Sequence, residues 1–195
     1  MKKYTWCLIV SLWLLILISQ SIAASCGAGT VLYATFKGKT HLLLADHQLI
    51  SQRQRGWAGF GGLCDGQPVD VAAARETEEE TKGYYNREEI LSRIGGSPNI
   101  RIGNFTTFFV KVNYVPAVAF NNQKPPDSGS YYIERGPYTW IPFAVIRQVF
   151  ENRKAGRAYI PAKYLPSNAR SEWLFEPFLT GLMAAGTAGI LPWIP

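Results

Sequence analysis

Residues 59–85 read GFGGLCDGQPVDVAAARETEEETKGYY. A loop with glycine at 59, 61, 62 and 66 runs into an alanine-lined stretch that then gathers four glutamates between residues 76 and 80. The glycines exclude a helix from the first part, whereas residues 69–82 form the clearest helical run in the chain. Asp70 is the expected N-cap and Gly83 the expected stop. At about 100° per residue, Glu79 lies about 60° to one side of Glu76 and Glu80 about 40° to the other. Three carboxylates therefore share one face, and Glu78 points away as a solvated residue. Like charges one turn apart repel. A solvated acidic surface is the plain reading of such a face. The glycine loop before it and Arg75 within it favour a second: a hard divalent cation held by carboxylates, water and phosphate oxygens.

Outward from this unit, strands and helices alternate. Residues 30–36 (TVLYATF) and 41–46 (HLLLAD) are expected as a hairpin closed by KGKT. A short strand is expected within 56–66, a helix in 88–94, strands in 104–115 and 138–142, and an amphipathic helix in 142–155. Residues 121–130 (NNQKPPDSGS) read as a loop. No internal repeat is visible. The pattern predicts a single α/β or α+β sandwich domain.

The N-terminus has the layout of a secretory signal peptide: Lys2 and Lys3, an apolar core, then Ala23, Ala24 and Ser25. The core from Trp6 to Ile18 is short for a membrane span, which needs about 20 apolar residues. Residues 1–24 are expected to be removed, and the product to be exported to a periplasm or secreted. Ala23-Ala24-Ser25-Cys26 also loosely resembles a lipoprotein cleavage box, which would leave lipid on Cys26. A disulfide between Cys26 and Cys64 and a buried free Cys64 are the competing readings.

Without Lys2 and Lys3 the chain keeps 18 basic and 14 acidic residues, a net charge of +4. The basic residues are scattered, which speaks against nucleic-acid binding and suits a phosphate-bearing small molecule. His41 and His47 match no metal-ligand spacing and read as strand-surface residues. Residues 166–195 form an apolar tail, uncharged from Pro177 onward. A packed helix and membrane contact are its two readings.

The box around the glutamates resembles the Nudix hydrolases, whose 23-residue signature is Gly-x5-Glu-x7-Arg-Glu-U-x-Glu-Glu-x-Gly-U, with U bulky and apolar. Gly61 opens it, and Arg75, Glu76, Glu79 and Glu80 hold its charged core in register. Trp57 before the box and the later YTWIP are also similar, extending the resemblance over about residues 27–155. Gln67 stands in place of the first glutamate, Lys82 in place of the glycine, and Thr77 and Gly83 at the U positions. Lys82-Gly83 reads as a capping glycine displaced by one residue, lengthening the helix slightly.

The resemblance implies an α/β/α sandwich around a mixed sheet over residues 25–165. It further implies hydrolysis of a nucleoside diphosphate linked to another group. Mg²⁺ or Mn²⁺ would be held by Glu79 and Glu80, with Glu76 assisting or acting as base, a carbonyl near Gly61 completing the shell and Arg75 orienting the carboxylates. On this pattern Arg75, Glu76 and Glu80 are the catalytic set. A further acid from a later loop is Glu134, ahead of Asp127. Tyr132 and Trp140 are candidates to stack a base, with core packing as the competing reading. Loss of catalysis at Gln67 and Lys82 would leave a binding module of the same fold.

Overall fold

The computed structural model describes residues 25–47, 56–126 and 129–194. The proposed signal peptide and Asp127 lie outside them. Seven strands form one mixed sheet: β1 (Gly27–Phe36), β2 (Lys39–His47), β3 (Trp57–Ala58), β4 (Phe60–Leu63), β5 (Asn99–Ile102), β6 (Phe105–Lys111) and β7 (Arg135–Pro142). Among the described residues five α-helices accompany them: α1 (Val69–Glu80), α2 (Arg87–Ile94), α3 (Ala117–Asn121), α4 (Phe143–Glu151) and α5 (Glu176–Thr187).

β1 organises the sheet. Its C-terminal half pairs with β2 through Tyr33↔Leu42, and its N-terminal half pairs with β4 through Gly29↔Gly61. Its other edge runs parallel to β6, and all other pairings are antiparallel. Side chains alternate across the strands and sort the core by parity. Ala28, Leu32, Leu43 and Ala45 pack with Ala72, Ala73 and Ala74 of α1. Val31, Tyr33, Leu42 and Leu44 face the opposite layer, with Ile146 of α4 and Leu179 and Leu182 of α5. The result is a single α/β/α sandwich.

Three local expectations need correction. Pro68, not Asp70, occupies the N-cap of α1, and the Asp70 carboxylate accepts from the N–H of Val71. The helix is not lengthened by Lys82. It ends at Glu80, with the Lys82 N–H on the Glu79 carbonyl and the Gly83 N–H on the Glu78 carbonyl. That is a Schellman closure with Lys82 at the left-handed position, φ 57°. His47 is buried, not on the strand surface, because β2 changes register between Ala45 and His47.

The C-terminal segment packs against the sheet as part of this domain. The Trp57 N–H donates to the Trp173 carbonyl and the Phe175 N–H to that of Trp57. Buried Asp46 accepts from the backbone N–H groups of Arg170 and Ser171 and from the Ser171 hydroxyl. Among the described residues no helix is long and apolar enough to cross a membrane.

Candidate active site

The glycines let β4 lie against both β1 and α1. A Cβ at Gly61 would meet the Gly29 Cα and the Ala28 carbonyl at 2.7 Å, and one at Gly62 would lie 2.5–2.6 Å from the Glu76 carboxylate. Side chains at either position would push the helix or the neighbouring strand away. A disulfide between Cys26 and Cys64 fastens the end of β4 to the start of β1, and the Cys64 N–H donates to the Cys26 carbonyl. The Cys26 sulfur is thereby engaged and does not carry lipid in this form.

Two arginines organise the acidic face of α1. Arg75 contacts Glu76 at 2.9 Å and Glu79 at 3.0 Å. It also donates to the Leu63 carbonyl at 2.8 Å and to the Gln67 side-chain oxygen at 3.0 Å. Gln67 thus keeps the acceptor role of the glutamate it replaces, without the charge. Arg135, from β7, reaches Glu80 at 2.6 Å, His47 Nδ1 at 2.8 Å and the Gly59 carbonyl at 2.9 Å. The second Glu80 oxygen accepts from the Gly61 N–H at 2.7 Å. Both oxygens of Glu80 are therefore engaged.

Burial and mutual repulsion tune these groups. The Glu76 carboxyl is pushed up to about 7, by burial first and then by the Glu80 and Glu79 charges, against the pull of Arg75. Burial also raises Glu79 and Glu80, and Glu134 adds to both. Burial and the Arg135 charge lower His47 to about 4, so its imidazole is neutral at pH 7. Glu134 is exposed at the end of the turn Ser130–Ile133 and faces this cluster electrostatically.

Tyr132 and Trp140 are both buried. Trp140 is buried in the core under α1, with its indole N–H on the Val115 carbonyl. Tyr132 is buried beside Tyr131. Thr77, at an apolar box position, is buried with its hydroxyl on the Ala73 carbonyl and against the Thr30 hydroxyl at 2.7 Å. Sequence reasoning missed Arg135, which lies 55 residues from Glu80 and meets it only because β7 pairs with β2.

Among the described residues, no group of three acidic, histidine or cysteine side chains closes on a metal position. The donor set nevertheless fits a hard cation in its chemistry. Glu76, Glu79 and Glu80 are oxygen donors whose charged forms are disfavoured by burial and by neighbouring carboxylates, and added positive charge relieves that. Arg75 and Arg135 supply part of that charge now.

The fold and this cluster define a Nudix-type pyrophosphohydrolase. The NUDIX domain model matches residues 27–162, and the chain belongs to that family. Members generally use divalent metals. Among solved structures the chain is similar to a C. elegans Ap4A hydrolase binary complex, at 18% identity over 85% of this chain and 99% of that one, TM-score 0.43. It is also similar to a mutT/nudix family protein from Listeria innocua, at 18% identity over 86% and 97%, TM-score 0.40. A Nudix hydrolase from M. smegmatis is 14% identical over 86% and 90%, TM-score 0.43. No curated protein matches the chain in sequence.

Proposed function

We propose that the protein is an exported, metal-dependent hydrolase that opens the diphosphate bond of a nucleoside diphosphate linked to another group. The observation that carries this reading is the cluster of Glu76, Glu79 and Glu80 on one face of α1, with Glu76 pushed up to about 7. Glu79, Glu80 and Glu76 would hold Mg²⁺ or Mn²⁺, with Glu134 and the Gly61 carbonyl as further donors. The cation would supply positive charge against the phosphoryl oxygens. Glu76 is poised near neutrality to accept a proton from the attacking water. Arg75 orients Glu76 and Glu79, and Arg135 with the Gly61 N–H fixes Glu80. The Cys26–Cys64 disulfide and the N-terminal pattern support an oxidising, exported setting.

A second reading is a binding module with weakened catalysis. It is favoured by Glu80, whose two oxygens are both taken. Residues 25–195, which hold every described element, would be incubated with Mg²⁺ or Mn²⁺ and a panel of nucleotide sugars, ADP-ribose, dinucleotides and nucleoside triphosphates. Product release is followed by chromatography, with the Glu79→Gln/Glu80→Gln double variant alongside. Metal-requiring turnover that vanishes in the variant supports the hydrolase. Folded, metal-binding protein with no turnover supports the module.

A further inference from the structure

A cavity of about 550 Å³ lies on the face of the sheet opposite α1, beneath the C-terminal helix α5. Gly61 and Arg135 line it, and both hydrogen-bond Glu80. The cavity and the carboxylate cluster therefore meet at Gly61 and Arg135, which border the one and hydrogen-bond the other. Its far wall includes Phe175, Phe178 and Leu182, which follow the matched domain of residues 27–162. Phe105 and Ile102, from the β5–β6 hairpin, complete an apolar lining and are 38% and 42% exposed.

The polar side chains along this lining are largely committed within the protein. The Arg135 guanidinium is divided among Glu80, His47 and the Gly59 carbonyl. The Thr180 hydroxyl reaches Glu176, and Glu176 pairs with Arg153. A base edge or ribose hydroxyl placed here would give up water for few partners, which is costly. A hydrocarbon chain has no such hydrogen bonds to lose and gains from burial. The size suits a small-molecule site.

We propose that the cavity receives a hydrocarbon chain, so that the substrate is a nucleoside diphosphate whose outer phosphate is esterified to an apolar alcohol. This rests on the hydrolase reading for its chemistry. Water forms a bond to one phosphorus and the bridging P–O bond breaks. The bridging oxygen leaves on the other phosphate and a proton passes to solvent through Glu76. The products are a nucleoside monophosphate and an alkyl monophosphate, with no redox change.

The test is calorimetric titration of metal-free residues 25–195, without detergent, with butyl, hexyl and octyl phosphate, AMP and ribose 5-phosphate. Affinity should rise about tenfold for every two methylenes along the alkyl series. Gly181 lines the cavity, and a Cβ there meets only the Ile102 Cδ1 at 3.9 Å, so Gly181→Phe fills the space. That variant should lose tenfold or more in octyl phosphate affinity, with AMP unchanged. Phe105→Ala, at the exposed rim, provides a second variant with a smaller loss in the same direction. A flat alkyl series, or AMP binding that Gly181→Phe weakens more than octyl phosphate binding, overturns the proposal. P¹-adenosyl-P²-octyl diphosphate, incubated with the wild type and Mn²⁺, separates the two readings. If octyl phosphate binds as expected and this ester is not cleaved, the cavity assignment stands and the hydrolase reading fails.

Discussion

The two faces of the sheet are built on opposite principles. Under α1 the chain brings three carboxylates, two arginines and a buried threonine pair into one place, and every charge has a named counter-charge. Under α5 it brings together phenylalanines, leucine and isoleucine around open space, with its polar groups turned to one another. Arg135 belongs to both: its guanidinium holds Glu80 on one side and borders the cavity on the other. The charged face fits chemistry on phosphate; the apolar face fits selection of what the phosphate carries.

Arg135→Ala breaks the comparison most severely. It leaves the buried Glu80 without a counter-charge, and should cost about 3–5 kcal/mol in urea unfolding, with the uncharged but longer Arg135→Met little better. Asp46→Ala attacks the apolar face alone. It removes three hydrogen bonds that hold residues 170–171, and should cost about 2–3 kcal/mol while raising amide exchange in α5 more than in α1.

A titration sharpens the charged face. The folded chain holds the Glu76 proton up to about pH 7, against an ordinary value of 4.5, so it binds that proton more tightly than the unfolded chain does. Stability from this group is therefore greatest below pH 4.5 and falls as pH rises to about 7. In EDTA, the Tm of the wild type should drop over that window more than that of Glu76→Gln. The smallest effect is Lys82→Gly, which relieves a left-handed lysine and should stabilise by about 0.5–1 kcal/mol in the same urea assay.

The charged face was the legible one, since its residues sit within one helix and a loop at fixed spacing. The fold class followed from the same alternation of strands and helices. What stayed hidden depends on long-range pairing. Arg135 meets Glu80 across 55 residues, and nothing local to β7 marks it. His47 looked like a surface residue because strand alternation takes no account of the register shift that buries it. The cavity was hidden as well, because residues 177–195 announce only apolarity. Docking of the tail through Asp46 and Trp57 gives that apolarity a place.

The central claim is that the α1 carboxylates take up a divalent cation. It is tested most directly by calorimetric titration of Mn²⁺ into metal-free protein at pH 7 in two buffers of different ionisation enthalpy. The account predicts saturable binding with proton release from Glu76, both lost in Glu76→Gln/Glu79→Gln while the fold is kept. Absence of Mn²⁺ binding, or binding that the double variant leaves unchanged, would contradict it.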